Sequence, residues 1–253
     1  MIELLVVIAV IAILAAMLLP ALAKAKARGQ SISCINNLRQ LQTAWLVYVQ
    51  DNEDAMPPDV ALADGAMQRS KLGSWVVGNT MTDTTVSNLQ AGVLYNYVRN
   101  PNVYRCPADR SAVNGFPGLQ RTRSYSLNVW LNGDMRFKYP DFWPGDWPYI
   151  KWKGSQVVNP AQVFGFLEEH EQSIDDGAME VDNPLDGAPS TDNWFDLPAD
   201  RHNQGCAVSF ADGHAMVWRL KYPKGFSTHL QPAANDMDLR DLRQLEEWTP
   251  QNR

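Results

Sequence analysis

The sequence predicts an α+β fold in which a long, hydrophobic N-terminal helix packs on a head built around an antiparallel β-sheet. Three observations lead there: an apolar run at the very start, a helical rhythm that continues it, and an Asp-Gly hairpin near the end.

Residues 2–23 read IELLVVIAVIAILAAMLLPALA, with Glu3 as their one charge, and Lys24, Lys26 and Arg28 follow at once. At about 1.5 Å per residue such a helix is roughly 30 Å long, the thickness of a bilayer core. A signal peptide carries its positive charges before a shorter apolar core, the reverse of this order. A soluble core helix is rarely apolar on every face. Residues 1–23 are therefore expected to form a membrane-spanning or filament-core helix. Glu3 then needs a partner, since a carboxylate at mid-membrane costs about 2.5–3.5 kcal/mol. Pro20 removes one backbone hydrogen bond and loosens the helix locally.

Beyond the basic cluster, Ile32, Ile35, Leu38, Leu41, Trp45 and Tyr48 recur at three- and four-residue spacing. The helix is expected to continue over residues 24–52, packed on the head, with Asn36, Asn37, Arg39 and Gln40 on a solvated face. Residues 59–85 read as a loop, with residues 74–77 as a short strand, and residues 93–98 as a short helix. Residues 124–131 alternate as a strand does. Residues 163–167 read as a buried strand ending at Glu168 and Glu169. Residues 175–196, acidic and rich in turn residues, read as a long loop. Asp212-Gly213 between two apolar runs is a strong hairpin signal. Met237, Leu239, Leu242 and Leu245 give a C-terminal helix over about residues 235–248.

A net charge of −6 argues against nucleic acid as a partner. The segment after the apolar run, about 230 residues, is long enough for one sizeable core or two small ones. The chain has no GxSxG, no P-loop and no dinucleotide fingerprint. Glu168, Glu169 and Asp212 suggest a paired-carboxylate hydrolase. However, adjacent strand residues point to opposite faces, so Glu168 and Glu169 are poor partners. No enzymatic activity is expected.

Ile2, Glu3, Leu4 and Leu5, with Pro20, resemble the prepilin signature of type IV pilins and type II secretion pseudopilins. The glycine and phenylalanine of that signature are not in the chain as written. Arg201-His202, nine residues and Asp212-Gly213 resemble the H-x9-DG element found with prepilin-type N-termini in the DUF1559 group. Cys34-Ile35-Asn36-Asn37-Leu38-Arg39-Gln40 and Cys106-Pro107-Ala108-Asp109 are similar to that group as well. The resemblance implies a pilin-like or pseudopilin-like structural subunit of an envelope filament or type II-like secretion apparatus. It places Glu3 and Pro20 in assembly and residues 199–220 in the family hairpin. It implies a single pass of the inner membrane, an extracytoplasmic head over residues 24–253, and exposure at the cell surface or in the periplasm once assembled. The partners it implies are other pilin-like subunits, inner-membrane assembly machinery and, for a longer N-terminus, a prepilin peptidase. The alternative is a membrane-anchored recognition module that does not polymerise and binds carbohydrate through Trp143, Trp147, Tyr149 and Trp152.

Cys34 and Cys106 are the candidate disulfide, which persists outside the cytoplasm. In the chain-entropy view it would contribute roughly 4 kcal/mol. Cys206, within an apolar strand, reads as a buried thiol. No cofactor is required, but Asp200, His202, Asp212 and His214 are candidate ligands for a divalent metal, and Ca²⁺ suits the acidic loop. The other reading of these residues is structural: Asp212 shapes the turn, and His202 hydrogen-bonds the hairpin or a neighbouring strand.

Overall fold

The computed structural model describes residues 2–64, 67–134, 150–183 and 191–250. The first helix, α1, covers Ile2–Asp51 and runs unbroken through Pro20. Pro20 and its neighbours are exposed, so the ring displaces no packed side chain. In the C-terminal part of α1, Cys34, Leu38, Leu41, Trp45 and Val49 are buried. Their spacing of three and four residues makes one apolar face.

The strands follow in chain order: β1 (Asp59–Asp64), β2 (Met67–Ser70), β3 (Ala112–Val113), β4 (Phe116–Gln120), β5 (Tyr125–Asn128) and β6 (Gly133–Asp134). Then come β7 (Phe164–Glu168), β8 (Ala178–Met179), β9 (Asn193–Trp194), β10 (Gly205–Phe210), β11 (Ala215–Arg219) and β12 (Gln231–Pro232). Short helices α2 (Ser87–Ala91) and α3 (Tyr95–Val98) precede β3, and α4 (Asp236–Glu247) closes the described chain. The main sheet has the order β11–β10–β7–β5–β8. The buried face of α1 lies on its centre, against β10, β11 and β7. A second apolar cluster on the other side joins Phe164, Leu167, Val208 and Trp218 to Leu242 and Leu245 of α4. The alternation of β10 thus serves two cores: Ala207 faces α1, and Cys206 and Val208 face α4.

Three expectations are corrected here. Among the described residues, no helix is long and apolar enough to cross a membrane. The membrane span over residues 1–23 and the single-pass inner-membrane placement are withdrawn on that finding. Second, the head's sheet is mixed. Its first four strands are antiparallel, but β8 pairs in parallel with β5 through Leu127↔Ala178 and Asn128↔Met179. Third, Asp59–Asp64 and Met67–Ser70 pair as antiparallel strands β1 and β2, with Ala61 opposite Ser70. Residues 74–77 form no strand, yet Trp75 and Val76 are fully buried. The solvated reading of Asn37 also changes, because its Nδ2 donates to the Arg105 carbonyl at 2.9 Å and ties α1 to the loop before Cys106.

Asp59, at the start of β1, is fully buried. Its Oδ1 accepts a hydrogen bond from Ser70 Oγ at 3.0 Å, while Oδ2 has no hydrogen-bond partner among the described residues. Burial, reinforced by Asp176 and only partly offset by Ser70 and Arg123, pushes its carboxyl up to about 8. In the unfolded chain the carboxyl titrates near its ordinary value of about 3.9. The folded pKa is raised, so the stability it contributes is complete below about pH 4 and is lost as pH rises through about 8. Asp59→Asn keeps an acceptor for Ser70 and removes the titration. Its stability relative to wild type should therefore climb across that window in denaturant titrations. A constant difference from pH 5 to pH 9 would contradict the assignment.

Candidate functional site

Four segments meet beneath the middle of α1. Cys34 comes from the helix, Cys106 from the Cys106-Pro107-Ala108 turn, Glu168 from the end of β7, and His202 from the turn before β10. All four are buried, and their ligand-type atoms lie within 4.8 Å of one another. Glu168 Oε2 is 3.1 Å from His202 Nε2 and 3.7 Å from Cys34 Sγ. Cys106 Sγ is 3.4 Å from His202 Nε2.

Each donor is placed by a local feature. The buried stripe of α1 turns Cys34 toward the sheet. Tyr125 stands opposite Glu168 in the β5–β7 ladder, and its Oη lies 3.1 Å from Cys34 Sγ. Cys106 Sγ accepts the Ala108 N–H at 3.3 Å, while the Cys106 N–H donates to Ser124 Oγ at 3.1 Å. Asn203 and Gln204 take φ of +55° and +58°, so the chain folds back and the His202 N–H reaches the Gly205 carbonyl at 3.2 Å. Asparagine tolerates this left-handed conformation better than most residues. Arg219 Nη1 then donates to the His202 carbonyl at 2.8 Å.

Arg201 closes the site from behind. Its Nη1 donates to Glu168 Oε1 at 3.1 Å, and its Nη2 lies 2.9 Å from Glu171 and 3.6 Å from Asp109. Burial pushes the Glu168 carboxyl up, but the His202 hydrogen bond and the Arg201 charge outweigh it and hold it at about 2. Burial alone would depress the His202 imidazolium; its hydrogen bonds with Cys106 and Glu168 raise it to about 10. Burial pushes the Cys34 thiol well up, while the hydrogen bond from Cys34 pulls Cys106 down. The chemistry gathered here is two thiols, an imidazole and a carboxylate, a set that can hold a metal ion.

The structure regroups the candidate residues. Cys34 and Cys106 do meet, but as free thiols, so the proposed bridge is not formed. Cys206 is also free and buried; its Sγ faces the Glu168 carbonyl at 3.2 Å, away from the cluster. The set Asp200, His202, Asp212 and His214 is not brought together. Six residues of β10 separate His202 from the Asp212 turn, roughly 20 Å at about 3.3 Å per residue. Asp212 Oδ1 instead accepts from the His214 N–H at 3.1 Å within the turn, where Gly213 takes φ +102°. Asp200 Oδ2 accepts from the Lys224 N–H at 3.1 Å. Glu168 and Glu169 diverge as alternate strand faces require. Glu169 is held by Ser173 at 2.8 Å and by Ser126 on the far side from His202.

No family model, curated protein or solved structure matches this chain. The remaining candidates are therefore placed by geometry alone. Trp143, Trp147 and Tyr149 lie outside the described residues, as does the side chain of Glu3. Trp152 is described and partly exposed. The sequence placed Cys106 beside Cys34 as a candidate disulfide, but Glu168 was read only as a hydrolase carboxylate, and it lies 134 residues from Cys34, whose sulfur it faces.

Proposed function

We propose that this chain is a pilin-like structural subunit that assembles through the N-terminal half of α1. The observation that carries this reading is the exposure of apolar side chains along that half. Met17 is 71% and Leu22 67% exposed, and Ile13, Leu14, Leu18 and Leu19 are exposed as well. At 100° per residue these six spread over roughly 240° of the helix circumference. A single neighbouring helix covers a narrow stripe, so a surface this wide calls for several neighbours at once. Copies of the same stalk supply them symmetrically, with Lys24, Lys26 and Arg28 at the edge of the apolar zone. The resemblance of residues 2–5 and Pro20 to the prepilin signature supports the same reading.

Light scattering on the purified full chain tests it. Wild type is expected to form oligomers or filaments that grow with concentration. Leu14→Glu combined with Leu18→Glu is expected to leave a monomer with unchanged near-ultraviolet circular dichroism, because neither side chain touches the head. A wild-type chain that stays monomeric at every concentration overturns the proposal and favours the non-polymerising recognition module.

A further inference from the structure

We propose that Cys34, Cys106, Glu168 and His202 bind one Zn²⁺ as a closed structural centre that clamps α1 to the head. The proposal is independent of whether the stalk assembles. Its first support is geometric. Tetrahedral zinc with sulfur at about 2.3 Å and nitrogen or oxygen at about 2.0 Å sets its ligands roughly 3.3–3.8 Å apart. The separations of 3.4 and 3.7 Å lie in that range and the 3.1 Å between Glu168 and His202 lies just below it, while the widest, within 4.8 Å, requires only a side-chain adjustment.

The donors also select the metal. Two thiolates with an imidazole favour zinc over calcium, magnesium or manganese, which prefer oxygen. Four protein ligands, all buried, leave no open position for water or substrate, which marks a structural rather than a catalytic centre. The groups around the donors are arranged as a metal site needs. Glu168 presents Oε2 to Cys34 and His202 because Arg201 holds Oε1. The Ala108 N–H and Tyr125 Oη sit against the two sulfurs at 3.3 and 3.1 Å. Two thiolates and a carboxylate exceed the ion's charge by one negative unit, and Arg201, which also meets Asp109 and Glu171, offsets part of that excess in direct contact with Glu168. His202 binds as neutral imidazole, so its Nε2 proton, like both thiol protons, leaves to solvent on binding.

The ligands come from four segments far apart in the chain, so a bound ion crosslinks helix, loop and sheet at one point. It would hold α1 where the helix leaves the head and becomes the exposed stalk.

The test uses the full chain, reduced and supplied with Zn²⁺, then dialysed. Elemental analysis is expected to find one zinc per chain. Replacing zinc with Co²⁺ should give thiolate-to-cobalt charge-transfer absorption and the intense visible bands of tetrahedral cobalt. Cys34→Ser and His202→Ala should lower affinity at least about tenfold, and Glu168→Gln should lower it as well. Cys206→Ala, outside the cluster, should retain the full metal content. Should a variant fail to fold, the wild-type cobalt spectrum decides. Octahedral cobalt without thiolate bands, or reduced wild type that keeps no zinc after dialysis, overturns the proposal. So does a Cys34–Cys106 disulfide as the only form recovered after zinc loading.

Discussion

Replacing Arg201 with alanine is expected to lower the free energy of unfolding by about 3–5 kcal/mol. Its side chain is only 9% exposed and meets carboxylates that are buried at Glu168 and Asp109. Removing the guanidinium leaves those charges buried with one of their main partners gone, and an uncompensated buried charge costs more than the ion pair itself contributes. Glu171, its side chain about half exposed, loses less, since water can replace its partner. Arg201→Lys should recover only part of the loss, because one ammonium cannot serve three carboxylates as the planar fork does. Urea unfolding in the presence of chelator measures this without any contribution from a metal. A loss below about 1 kcal/mol would mean the carboxylates are satisfied without Arg201.

Trp75→Ala is expected to cost a similar amount, about 3–5 kcal/mol, as a large-to-small change in a sealed core. Trp75 is fully buried between the sheet and the loops under α1. Its ring stacks on Tyr104 at 6.1 Å and meets Phe166 edge-on at 5.0 Å. Its Nε1–H donates to the Gly177 carbonyl at 3.1 Å, so the substitution also leaves a buried acceptor unpaired. Trp75→Phe keeps most of the apolar volume and should cost less than half as much. Equal losses for the two variants would place the energy in the hydrogen bond rather than in the packing.

Much of this fold follows from local pattern. The end of α1 at Asp51, the hairpin around Asp212-Gly213 and α4 after its Asn235 cap are all legible in short windows, because helical periodicity, turn glycine and capping act over a few residues. The β1–β2 pairing was not legible, since Gly65, Gly73 and Gly78 made that stretch look like loop. Trp75 shows the other limit: it is buried in irregular backbone by partners that approach from Tyr104 and Phe166. The same holds for the buried cluster. Cys34, Cys106, His202 and Glu168 each stand out as residue types. Their meeting depends on α1 lying across β7 and β10, a tertiary fact that no spacing encodes. Reading His202 with its sequence neighbours Asp212 and His214 failed for that reason, because an extended strand carries near neighbours in sequence far apart in space.

Hydrogen exchange along α1 in the full chain, at low and high protein concentration, tests assembly through the stalk most directly. Backbone amides of residues 34–49 should be protected at both concentrations, since that face is sealed against the sheet. Amides of residues 13–23 should exchange quickly in dilute protein, where an isolated helical extension frays, and become protected as concentration rises and neighbouring stalks cover them. Rapid exchange over residues 13–23 at every concentration, with residues 34–49 still protected, would contradict assembly through this half of the helix.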